Sequence, residues 1–66
     1  MNITINGKPE RLEEPANVQT LVERLGLDLR KIAIERNLAI VPRSTYAQVT
    51  LQEGDAIEIV EFIGGG

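Results

Sequence analysis

A 66-residue chain with neither cysteine nor histidine has one route to a folded state: it must close a single apolar core. At this length folding hides only about 60% of the unfolded chain's surface, and small domains are often propped by disulfides or a metal. No disulfide can form here, and a zinc site would have to be all carboxylate, a poor match to zinc's preference for sulfur and nitrogen. No metal site is therefore expected. Hydrophobic residues make up 42% of the chain, many of them Ile, Leu and Val, so the core is attainable and disorder is not expected. The length allows one domain. The same gaps narrow the chemistry. Without Cys or His the usual side-chain nucleophiles and general bases are missing. Ser44, Thr45, Tyr46 and the carboxylates remain, with no spacing that suggests a dyad or triad, so a self-contained enzyme is not expected.

Seven basic against ten acidic residues leave a formal charge of −3. A nucleic-acid partner would ask for a basic face, and one Tyr, one Phe and no Trp offer no stacking platform. No apolar run approaches membrane-spanning length, and strand-like residues begin at Asn2, where a leader would lie. The expectation is a soluble cytoplasmic protein that engages neither nucleic acid nor membrane.

The chain opens with polar–apolar alternation over Asn2–Asn6, the period of a half-buried strand. Asn6-Gly7 then predicts a type I′ hairpin turn, which needs positive φ at both central residues. A second strand is expected from Lys8 to Leu12, with Pro9 placing it at an edge. After a break at Glu13–Ala16, Asn17 suits a helix N-cap, and Val18, Leu21, Val22 and Leu25 mark one apolar helical face. Gly26 suits the left-handed position that ends the helix. A helix of about two turns cannot stand alone and needs a sheet beneath it. Lys31–Arg36 reads as a third strand, Asn37-Leu38 as a tight connection, and Ala39–Val41 as a brief fourth strand closed by Pro42. Arg43–Leu51 is irregular, anchored by Tyr46, Val49 and Leu51. Gln52–Asp55 is a turn, with Gly54 supplying the demanding dihedral and Asp55 serving as a turn residue. Ala56–Ile63 is the longest strand candidate, with Ile57 and Ile59 on one face and Glu58, Val60 and Phe62 on the other. The order β-β-α-β-β-β predicts an α+β domain over residues 1–63: a mixed sheet of four to five strands with one short helix on one face, first and last strands parallel. That is the β-grasp arrangement of ubiquitin.

Residues 64–66 are three glycines, expected to form a flexible tail that spans roughly 10 Å when extended. With no side chains, a partner's channel can close on the backbone from every side. A carboxylate at Gly66 would be unhindered, and activation by ATP to an acyl-adenylate would make its carbon electrophilic. Protein-borne sulfur usually rides on a cysteine. In a chain without cysteine, a terminal carboxylate is the place where sulfur can be held covalently.

These features are joined by a family resemblance over the whole length. Ile40-Val41-Pro42-Arg43, Tyr46-Ala47, Gly54-Asp55 leading into Ile57–Val60, and the Gly65-Gly66 end resemble the ThiS family of sulfur carriers in thiamine biosynthesis. Asn6-Gly7 and Val18–Leu21 match it mainly in pattern. The resemblance implies that Gly66 is adenylated by an E1-like, ThiF-type adenylyltransferase using ATP, with Gly65 as the required neighbour and Gly64 adding reach. It implies conversion of the terminus to a thiocarboxylate, with sulfur drawn from cysteine through a desulfurase, and delivery to a ThiG-type thiazole synthase. The carrier would be a co-substrate with no permanently bound cofactor. Within the same fold, a molybdopterin-type carrier or a ubiquitin-like protein tag are the rivals; outside this chemistry, a noncovalent β-grasp adaptor is.

Val60 and Phe62 should point away from the buried face and form a docking patch at the root of the tail, with a residue of the Ala39–Val41 strand. Arg43 is expected to be solvated or paired with a surface carboxylate, and Tyr46 to be an anchor rather than an acid catalyst. Glu10, Glu13, Glu14, Glu58 and Glu61 form a solvated acidic surface that can speed encounter with a basic partner.

Overall fold

The computed structural model describes residues 1–63. Strands β1 (Asn2–Ile5) and β2 (Lys8–Arg11) form the opening hairpin, turned by Asn6 and Gly7 at φ 51° and 81°. Helix α1 (Val18–Leu25) follows, then a 3₁₀ turn at Leu29–Lys31, β3 (Ile32–Arg36), β4 (Ala39–Ile40), a second 3₁₀ turn at Arg43–Thr45, and β5 (Ala56–Glu61). The sheet order is β2-β1-β5-β3-β4, with β1 and β5 parallel and the other pairings antiparallel. The last strand thus lies at the centre, between the first and the third, and β2 with its Pro9 is at an edge as expected. This is the β-grasp topology.

Helix α1 forms where its local signals place it. The Asn17 Oδ1 accepts from the Thr20 N–H at 2.8 Å, and the Thr20 Oγ1 accepts from the Asn17 N–H at 2.9 Å, a reciprocal cap. Gly26 ends the helix at φ 70°. Val18, Leu21 and Val22 are buried, and with Ile3, Ile32, Ile34, Ile57, Tyr46 and Leu51 they form the core between helix and sheet. Leu25, expected on the apolar face, is 40% exposed: it is the last helical residue and lies at the rim, lining shallow surface grooves with Ile5 and Asn6.

The boundaries differ in informative ways. The third strand starts at Ile32, not Lys31, because Asp28 caps the 3₁₀ turn before it: its Oδ1 accepts from the Arg30 N–H at 2.9 Å. Val41 lies past β4 and turns into the core. The irregular Arg43–Leu51 stretch contains the second 3₁₀ turn, and Tyr46 and Leu51 are buried anchors. The last strand stops at Glu61, short of Ile63, because the β3 ladder ends at the Ile32–Glu61 pair.

Candidate functional site

The site is the C-terminal end of β5 and the sheet face around it. Three interactions hold this segment. Along one edge β5 pairs with β3 from Arg36–Ile57 to Ile32–Glu61, and the Phe62 N–H extends the ladder by donating to the Lys31 carbonyl at 2.7 Å. On the other edge β1 turns away after Ile5, leaving the Ile59 backbone without a strand partner. The Asn6 side chain fills that place. Its Oδ1 accepts from the Ile59 N–H at 2.7 Å and its Nδ2 donates to the Ile59 carbonyl at 3.2 Å, so a side-chain amide imitates one more ladder residue. The last strand is thereby held on both sides as far as Ile59 and by β3 alone from there to Phe62. Gly64, Gly65 and Gly66, the expected tail and acceptor, lie outside the described residues.

The face of the sheet opposite the helix is open. Residues directly opposite in an antiparallel pair project to the same side. Ile34 and Ile57 point into the core, so their neighbours Ala33, Glu35, Glu58 and Val60 point out. Ile40 of β4 pairs with Glu35, Glu35 with Glu58, and Ala33 with Val60. Together these side chains line a groove of about 360 Å³. Val60 is 58% exposed, Phe62 47% and Ile40 77%. The exposure expected for Val60 and Phe62 is therefore present, and Ile40 supplies the fourth-strand residue beside them.

Behind the face lies a polar knot. Asp55 is buried, and its Oδ2 accepts from Arg36 Nε at 2.8 Å and from the Gln52 N–H at 2.9 Å, while its Oδ1 accepts from Asn37 Nδ2 at 3.0 Å. Asn37 in turn accepts from the Ala56 N–H through Oδ1 at 2.9 Å, and its own N–H donates to the Ala56 carbonyl at 2.8 Å. Burial pushes the Asp55 carboxyl up, but the Arg36 guanidinium, the Gln52 N–H and the Asn37 amide outweigh it and hold the group below the usual carboxylate range. The knot ties the β3–β4 turn, where Asn37 and Leu38 have φ of 52° and 71°, to the start of β5. It therefore sets where Ile40 stands relative to Val60. Asp55 is more than the turn residue its position after Gly54 suggests.

Arg43 makes no carboxylate pair among the described residues; its Nη2 donates to the Ile32 carbonyl at 3.3 Å, bracing the end of β3. Tyr46 is buried, and burial raises its phenol above the ordinary value against the opposing influence of Arg43, which suits an anchor and not a proton donor. Among the described residues no three acidic side chains gather as a metal site, and no helix is long and apolar enough to cross a membrane.

With this geometry in hand, comparison with known proteins is decisive. The ThiS family model matches residues 3–66. The chain belongs to the ThiS family. A ThiS sulfur carrier protein of Bacillus subtilis is 34% identical, the alignment covering 97% of this chain and 98% of that protein. A crystal structure of a ThiS thiamine biosynthesis protein from Geobacter metallireducens superposes with a TM-score of 0.86 at 35% identity, covering both chains fully. A thiazole synthase of Paramagnetospirillum magneticum is 52% identical over all 66 residues, and the chain spans only 20% of that protein's length.

Set within the ThiS family, the residues that sequence reasoning passed over are those that anchor β5, Asp55 and Asn37 at its start and Asn6 at Ile59, without resembling a site. Asn6 was visible as half of an Asn-Gly turn, but its reach to Ile59 depends on a strand 53 positions away. Asn37 and Asp55 carried a faint signal, a turn asparagine and an acid after Gly54, with nothing to say they meet.

Proposed function

We propose that this protein is a sulfur carrier for thiazole formation in thiamine biosynthesis, loaded and unloaded at Gly66. In the activating step a Gly66 carboxylate oxygen attacks the α-phosphorus of ATP and pyrophosphate leaves. A persulfide sulfur then attacks the acyl carbon and AMP departs with the former carboxylate oxygen; a thiol reductant cleaves the resulting acyl disulfide, supplying two electrons and leaving a thiocarboxylate. An E1-like, ThiF-type adenylyltransferase catalyses the activation. Sulfur arrives from cysteine through a desulfurase, and a ThiG-type thiazole synthase takes the sulfur. The chain supplies the acyl group, a narrow glycine stalk and a docking face, and holds no cofactor of its own. The setting is the cytoplasm.

The observation that carries this reading is the family match, which runs through to Gly66. The partner is supported by the thiazole synthase that contains a segment 52% identical to the full chain. Two activities joined in one polypeptide meet at high effective concentration, which favours a carrier and the enzyme it serves. The docking face is supported by Val60 and Phe62, exposed on and just past the strand that leads to Gly64.

Intact-mass analysis of the protein from sulfur-replete cells tests the reading. A sulfur-for-oxygen exchange that disappears on deleting Gly66 is the expected result. A ladder of conjugates indicates a protein tag instead, and an unmodified mass an adaptor; either outcome overturns the carrier assignment.

A further inference from the structure

The open face sets two acidic side chains against each other across neighbouring strands. Glu35 and Glu58 are direct cross-strand partners on β3 and β5. Opposite residues of an antiparallel pair hold their Cβ atoms about 5 Å apart, and like charges there repel. The ion pairs among the described residues are Arg30–Asp28 and Arg36–Asp55, and neither glutamate takes part in one. Around the two carboxylates the groove is apolar, with Ile40 on one side, Val60 on the other and the small Ala33 leaving room between them.

We propose that this groove receives an arginine side chain from the activating enzyme, and that Glu35 and Glu58 grip its guanidinium from both sides. The inference rests on the docking part of the function proposed above and gives that face a partner chemistry. Charge complementarity selects the occupant. A guanidinium is planar, presents five N–H donors in a fixed fork, and can satisfy two carboxylates at once, which a lysine ammonium does only as a point charge. Its aliphatic stem would lie on Val60, Ala33 and Ile40, so one residue matches both the acidic and the apolar parts of the groove. The activating enzyme suits this face better than a neutral partner. It must take in the tail to reach Gly66, which brings the face of the strand that leads into the tail against its surface.

The test is binding of the full-length protein to the adenylyltransferase without ATP, comparing wild type with E35Q/E58Q. The double variant keeps shape and removes the repulsion, so its Tm should equal or exceed that of wild type while its Kd rises about thirtyfold, as when one side of a hydrogen-bonded charge pair is lost. A residue pair with only a structural role would move Tm and Kd together. The control E10Q/E14Q removes the same formal charge away from the groove and should change Kd less than about twofold. Blocking the enzyme's arginines with cyclohexanedione should weaken the wild type strongly and the E35Q/E58Q variant little further. Unchanged affinity of E35Q/E58Q, an equal loss in E10Q/E14Q, or insensitivity to the arginine reagent each overturns the proposal. If the wild type binds and acquires sulfur while E35Q/E58Q binds as well, the arginine site alone falls. If the wild type neither binds nor acquires sulfur, the carrier reading falls with it.

Discussion

Alternate residues of one six-residue strand, β5, make the two faces of this molecule's centre, and the two faces obey different rules. Ile57 is 1% exposed and sits with Ile3, Ile32, Ile34 and the helix residues Leu21 and Val22. Its neighbours Glu58 and Val60 face outward, beside Glu35 and Ile40. The inner face is chosen for volume and apolarity, as a chain with no disulfide requires. The outer face mixes exposed apolar side chains with two glutamates set opposite each other, a mixture the core does not require. The difference teaches that one strand is the spine of the fold on its inner side and an open surface on its outer side, the surface proposed above for docking. Function can be altered on the outer side without unfolding the inner one.

The sharpest way to break this comparison is to truncate each face in turn. Ile57→Ala should cost about 3 kcal/mol, the usual range for emptying a fully buried aliphatic site, which is most of the stability a domain of this size possesses. Val60→Ala, three residues further along the strand and on the other face, should change stability by less than about 0.5 kcal/mol. Urea unfolding monitored by circular dichroism reads both; similar losses in the two variants would erase the distinction.

Next in size is the knot behind the face. Asp55→Ala strands the Arg36 guanidinium, the Asn37 amide and the Gln52 N–H, and should cost about 2 kcal/mol, less than a fully buried pair because Arg36 is partly in solvent. Its pH dependence has a definite sign. Asp55 is held below its unfolded value, so its contribution is complete above a pH of about 4 and is lost as the pH falls through the lowered folded value. The Tm gap between wild type and Asp55→Asn should therefore close on acidification below pH about 4; a gap that stays constant to low pH would sink the assignment. The exposed Asp28–Arg30 pair gives the contrast. The side-chain and backbone hydrogen bonds from Arg30 hold Asp28 at about 2, yet the pair is solvent-facing, and Asp28→Asn should shift Tm less than Asp55→Asn does.

The smallest effect on stability should come with the largest effect on association. Phe62→Asp adds a charge beside the tail and removes an exposed ring without touching the core. Thermal unfolding should match wild type, while affinity for the adenylyltransferase should fall about tenfold or more. Equal affinity in a folded variant would take Phe62 out of the docking face.

Much of the architecture was legible because it is written in local chemistry. Asn6-Gly7 specifies a turn, Asn17 and Gly26 bracket a helix, and Ile32, Ile34 and Ile57 alternate with outward residues. Each of these depends on a few adjacent residues and on the geometry of the peptide. What escaped depends on residues far apart in the chain. The early end of β5 follows from where β3 stops pairing, the exposure of Leu25 from its place at the rim beside the hairpin turn, and the role of Arg43 from the nearness of the Ile32 carbonyl. The glycine run at 64–66 is plain in the sequence; the groove on the open face was not, since Ile40, Glu35 and Glu58 become neighbours only across three strands.

By itself, then, the sequence determined the kind of protein this is. A short chain without cysteine or histidine, patterned as hairpin, helix and three later strands, points to a β-grasp core. Tertiary structure alone decided which polar groups meet. Asn6 completes the ladder at Ile59, Asp55 gathers Arg36 and Asn37, and Glu35 is set against Glu58. The physical reason is one of range. Turn and helix preferences act over a few bonds, whereas a hydrogen bond or a charge pair forms only when the register of the whole sheet brings its two partners within about 3–5 Å.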